Sequence, residues 1–124
     1  MALLLASIST IASQPVFAAG FAITSNSTTA QTLGTASGQT GSVSAGKSLT
    51  VNGTTVAVTI SGNNATLNNL GTISQTGTGR VIRDNTGVSG LMITNGSITN
   101  AKALMQSADA DVIQMNSPSS AAPT

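Results

Sequence analysis

The chain has 124 residues, 40% of them hydrophobic and only 6% charged, against roughly 25% charged in an ordinary soluble domain. A formal net charge of +1 excludes the highly charged composition of a typical disordered chain, and the absence of His and Cys excludes imidazole or thiolate catalysis and His/Cys zinc sites. The polar character comes from Ser, Thr, Asn, Gln and 13 Gly, a mixture suited to strands joined by tight turns, so an all-β fold is expected.

Two Phe and no Trp or Tyr leave Val, Ile, Leu and Ala to build the core, and without Cys no disulfide supports it. The four basic residues, Lys47, Arg80, Arg83 and Lys102, are dispersed and lack aromatic neighbours, so nucleic acid is not an expected partner. Asp84, Asp109 and Asp111 are the only acids, and no catalytic residue, cofactor or metal ligand is expected.

In chain order, residues 1–18 read as a signal-peptide helix. An apolar run to Ala12, too short to span a bilayer, is followed by Pro15 and then Val16, Phe17 and Ala18 in the small-x-small pattern of a cleavage site. Cleavage is expected between Ala18 and Ala19, which predicts a secreted or surface protein touching membrane only through this signal. No Lys or Arg precedes the run, so a start upstream is one expectation, and the chain reads as a fragment.

Residues 19–47, with only Phe21, Ile23 and Leu33 as large apolar anchors, are expected to form an N-terminal cap or a weakly ordered segment. Residues 48–115 are expected to form β-solenoid repeats. Leu49 and Val51, then Val56, Val58 and Ile60, alternate as strands do, on either side of Asn52 and Gly53. Asn-Gly between such runs also fits a type I′ hairpin turn, which keeps a local antiparallel arrangement open.

Further on, TLNNLGTI at 66–73 matches LMITNGSI at 91–98, placing Gly71 against Gly96 and Ile73 against Ile98 at an offset of about 25 residues. A weaker copy lies near Gly46 to Leu49, one residue out of step at the apolar position. One repeat per turn of a coil, stacked at about 4.8 Å, would give a narrow core that needs no aromatic side chains. Stacked Asn and Thr could then bond along the axis, whereas charges in register would repel.

Ala101, Leu104, Met105, Ala108 and Val112 recur at helical spacing, yet DVIQM at 111–115 resembles RVIRD at 80–84, which favours another rung over a helix. The tail, 116–124, is expected to be disordered.

The strings LGTI at 70–73, GRVIRDNTG at 79–87 and ITNGSI at 93–98 together resemble autotransporter passenger and haemagglutinin-like repeats, over roughly residues 48–115. The resemblance implies a right-handed parallel β-helix of a few rungs, displayed at the outer membrane as an adhesin and delivered by a carboxy-terminal β-barrel. Such a barrel needs strands of about ten residues and aromatic girdles, and nothing after Phe21 is aromatic, so a passenger fragment without its translocator is expected.

The function this predicts is non-catalytic, a structural or adhesive module meeting host or neighbouring-cell surface components, with self-association through the solenoid ends. Two alternatives stay open: a truncated polysaccharide-active β-helix enzyme, and an exported disordered or amyloid-prone segment. Arg80, Arg83 and Asp84 read as a solvated turn rather than an anion site, and Asp109 with Asp111 as surface acids rather than a carboxylate pair. The acceptor patterns beginning at Asn26, Asn52, Asn64 and Asn95 read as turn chemistry rather than glycosylation sites.

Overall fold

A computed structural model describes residues 19–116. Eleven short strands run along them: β1 (Ala19–Ile23), β2 (Gln31–Leu33), β3 (Thr40–Val43), β4 (Ser48–Val51), β5 (Val58–Ile60), β6 (Thr66–Asn69), β7 (Thr72–Gln75), β8 (Ile82–Asp84), β9 (Met92–Asn95), β10 (Leu104–Ser107) and β11 (Ile113–Gln114). No helix occurs among the described residues, and 100–115 contains the strands β10 and β11 joined by turns.

The strands assort into three sheets with the orders β1-β3-β6-β9, β4-β7-β10 and β2-β5-β8-β11, and every pairing between them is parallel. The chain visits the sheets in rotation, one strand in each per pass. β3, β4 and β5 make one pass, β6, β7 and β8 the next, and β9, β10 and β11 the last. The first pass has β1 and β2, with Ser27 bridging to Leu49 where a strand of the second sheet would lie.

Period-2 alternation explains the packing of most strands, β7 with three successive buried residues and β9 with two successive exposed ones being the departures. Ser48–Val51 and Thr66–Asn69 both alternate half-buried and buried residues, which sends Leu49, Val51, Leu67 and Asn69 inward and Ser48, Thr50, Thr66 and Asn68 outward. The inward apolar residues of all three sheets join one cluster in which Leu33, Leu49, Ile60, Leu67, Ile73 and Ile82 have no exposed surface. Burying each such side chain stabilises by about 1.5–3 kcal/mol. None of these six is aromatic, and Phe21 packs against the cluster partly buried.

Register decides several expectations. Segment 19–47 supplies β1, β2 and β3 to the sheets, and Ile23, Leu33 and Val43 are buried in the common cluster. Asn52 and Gly53 do not close a hairpin. They turn the chain from β4 in the second sheet to β5 in the third, and Gly53 takes φ of 74°, which lets the corner turn without returning the chain antiparallel. The proposed rung at 111–115 is in place, since Ile113 pairs with Ile82 and Gln114 with Arg83.

The match of 66–73 to 91–98 needs correcting. Leu67 pairs with Ile93 and Asn69 with Asn95, one residue later than the sequence match placed them. Ile73 pairs with Leu49 on one side and Met105 on the other, while Ile98 lies on a loop and is fully exposed. Only residues 70–71 separate β6 from β7, whereas 96–103 intervene between β9 and β10. That longer corner contains a tight turn in which Ser97 and Asn100 exchange backbone hydrogen bonds, and it shifts everything beyond it. The weaker copy near Leu49 is the one that truly stacks on Ile73.

The cleavage residue Ala18, the segment 1–18 and the tail from 117 lie outside the described residues, and Ala19 is the first residue of β1.

Candidate functional site

In the third pass each strand ends in a buried polar residue: β6 in Asn69, β7 in Gln75 and β8 in Asp84. The side-chain oxygen of each accepts a backbone N–H just past its strand. Asn69 Oδ1 accepts from Gly71 at 3.1 Å and Gln75 Oε1 from Gly77 at 2.5 Å. Asp84 Oδ1 accepts from Thr86 and Gly87 and its Oδ2 from Val88, all at 2.9 Å. Strands β3, β4 and β5 end instead in Val43, Val51 and Ile60. A parallel strand leaving a sheet strands its next N–H groups near the core, where an unpaired donor costs about 1–3 kcal/mol, and these side chains supply the missing acceptors.

Two of the clamps also reach between passes. Asn69 donates Nδ2 to Asn95 Oδ1 at 2.7 Å and to the Leu104 carbonyl at 3.0 Å, and Gln75 donates Nε2 to the carbonyls of Thr55 at 2.5 Å and Gly53 at 3.3 Å. Asp84 was expected to lie in a solvated turn with Arg80 and Arg83. It is wholly buried, because three convergent N–H donors replace its hydration. A polar residue closing an alternating run with Gly two places on, as in Asn69-Leu-Gly71 and Gln75-Thr-Gly77, is the sequence signal that finds two of these clamps.

The repeat glycines differ in what they do. Gly71 is buried, and a β-carbon there would meet the carbonyl oxygens of Lys47 at 2.2 Å and Ser44 at 2.5 Å, so its bareness lets one pass lie on another. Gly96, at φ of 89°, donates its N–H to the Asn69 carbonyl at 2.8 Å and opens the long corner. Hence Gly71, Ile73, Gly96 and Ile98 do not form one repeated position.

Outside, the sheets present uncharged hydroxyls and amides in register. Ser42, Asn68 and Thr94 adjoin on the first sheet, Thr50 and Gln106 flank a buried Ser74 on the second, and Thr32 and Thr59 adjoin on the third, followed by Arg83 and Gln114. Gln106 donates Nε2 to Ser74 Oγ at 3.3 Å, and an open hollow lies there between the ends of β7 and β10, lined by Ser74, Gln75, Thr76, Gln106, Ser107 and Ala108.

Comparison with protein-family models, with curated proteins and with solved structures finds no match to this chain.

Charge is sparse on this surface. Arg80 Nε lies 3.4 Å from Asp111 Oδ2 on the next pass, with both side chains partly or largely exposed, and Asp109 is exposed without joining them. Arg83 Nε and Gln114 Oε1 are buried without a hydrogen-bond partner, on residues that sit side by side in the ladder. Among the described residues no three His, Cys, Asp or Glu side chains come together in an arrangement that could hold a metal ion. Of the four acceptor-pattern asparagines, Asn26, Asn64 and Asn95 have their side chains engaged across passes. Asn26 Oδ1 accepts from the Ser48 N–H at 3.1 Å, and Asn64 Nδ2 donates to Ser37 Oγ at 3.2 Å.

Proposed function

We propose that the chain is a stretch of right-handed parallel β-helix that is exported from the cell and serves as a structural or adhesive module of a surface protein of the autotransporter or haemagglutinin-like kind. The rotation of consecutive strands through three parallel sheets supports the helix, and the strong preference of parallel crossovers for one hand supports its right-handedness. The signal-like segment 1–18 supports export, and its removal at Ala18 would leave all eleven described strands in the mature protein.

The observation that carries the adhesive reading is the set of outward rows of Thr, Ser, Asn and Gln running across the passes. A surface of uncharged donors and acceptors repeating at the strand spacing of about 4.8 Å suits an extended, polyhydroxylated or hydrated partner, such as the glycans of a host or neighbouring cell. It acts through area and repetition rather than through chemistry at one point.

The full chain, produced in a Gram-negative host, should be recovered outside the inner membrane with Ala19 at its amino terminus, and should be retained on cells or on immobilised polysaccharide. Asn68→Lys and Ser42→Lys, placed on the outward row of the first sheet, should weaken retention while leaving the melting temperature nearly unchanged. Retention that is absent, or indifferent to both substitutions, would sink the adhesive reading, and a product that stays in the cytoplasm would sink export.

A further inference from the structure

The chain has two Asn-Gly pairs, Asn52-Gly53 and Asn95-Gly96, and both asparagine side chains are exposed. Their hydrogen bonding differs. Asn52 folds its Oδ1 onto the N–H of Gly53 at 2.7 Å, which brings the side-chain amide carbon beside the backbone nitrogen that follows it. Gly53 is exposed, and the space a β-carbon would fill there is open to solvent. At the second pair Gly96 is buried and donates its N–H to the Asn69 carbonyl at 2.8 Å. The Asn95 amide is held on both sides, its Oδ1 accepting from Asn69 at 2.7 Å and its Nδ2 donating to the Ala103 carbonyl at 3.4 Å.

We infer that Asn52 is a site of spontaneous covalent modification in the folded protein, converting through a cyclic imide to aspartate and isoaspartate, while Asn95 is protected by the pairing of the third and fourth passes. In the step, solvent hydroxide takes the Gly53 amide proton and the nitrogen attacks Asn52 Cγ. The Cγ–Nδ2 bond breaks and ammonia leaves with a proton from water, which restores the hydroxide. Water then opens the five-membered ring at either of its two carbonyls. Opening at the main-chain carbonyl routes the backbone through the former side chain, leaving isoaspartate with an added methylene in the chain.

That lengthening falls at a crowded corner. The Gly53 carbonyl accepts the N–H groups of Thr78 and Gly79 from the next pass, each at 2.9 Å, together with Gln75 Nε2 at 3.3 Å. A β-carbon on Gly77 would collide with Gly53, so the two corners lie in direct contact. A rerouted backbone at 52 and 53 therefore loosens the second pass from the third, and the new negative charge appears on a surface otherwise nearly free of charge.

The test follows the full chain in mildly alkaline buffer, with peptide mapping by mass spectrometry and enzymatic labelling of isoaspartate, beside a second sample kept unfolded in denaturant. In the folded sample Asn52 should convert several-fold faster than Asn95, and in denaturant the two rates should converge. The amides of Thr78 and Gly79 should exchange faster in the converted protein, and Asn52→Gln should abolish both changes. Asn95 keeping pace with Asn52 in the folded protein, or Asn52 reacting only in denaturant, would overturn the assignment. Conversion at Asn52 with unchanged exchange at Thr78 and Gly79 would overturn the loosening of the passes.

Discussion

Asn69 and Asn95 occupy the same register position in successive passes, and Asn69 donates its side-chain amide to Asn95 at 2.7 Å. Asn69 has no exposed surface, and it also accepts from Gly71 N–H and donates to the Leu104 carbonyl. One side chain thus ties the end of β6 to its own corner and to the pass beyond it.

Asn69→Ala should strand the Gly71 N–H away from water. An unpaired buried donor costs about 1–3 kcal/mol, so urea denaturation should show a loss of that size. A variant as stable as the parent would show that the corner finds another acceptor.

Asp84→Ala should cost more than Asp84→Asn. Alanine removes the acceptor for three N–H groups, while asparagine keeps an oxygen for Thr86 and Gly87 and turns an NH₂ group toward the N–H of Val88. Hydrogen exchange should rise at residues 86–88 in the alanine variant and at Val88 alone in the asparagine variant.

Ile73→Ala and Ile98→Ala probe the repeat register directly. Ile73 is wholly buried and should lose about 2–5 kcal/mol on truncation, as buried aliphatics do. Ile98, fully exposed on the long corner, should change stability by no more than about 0.5 kcal/mol. Equal losses would mean that the two residues are equivalent after all.

The Arg80–Asp111 pair should contribute little. Its members are 34% and 61% exposed, and a double-mutant cycle on such a pair should give less than about 1 kcal/mol, falling further as salt is added. A larger, salt-resistant coupling would indicate that the pair holds the last pass in place.

The sheets and the corners differ in how legible they are. Alternation in SLTV at 48–51 and the likeness of DVIQM to RVIRD report strands and their stacking directly, because inward and outward positions carry different solvation demands. The match of Ile73 to Ile98 misleads because both sit in similar strings, while the extra residues of the 96–103 corner displace the later strand. Asp84 misleads for a different reason. In a run with Arg80 and Arg83 an acid reads as solvated, and only the fold of residues 86–88 around it supplies donors enough to bury it.

What the sequence alone determined is the class of structure and its chemical temper: short β-strands, an aliphatic core without aromatics, and an almost uncharged surface. Those properties belong to residue types and to a two-residue period, which are local. Tertiary structure decided which residues stack on which, that Asn52-Gly53 turns a corner instead of closing a hairpin, and that Asn69, Gln75 and Asp84 lie inside. These depend on where the chain returns after each corner, and a corner's length sets that return while leaving no periodic mark in the sequence.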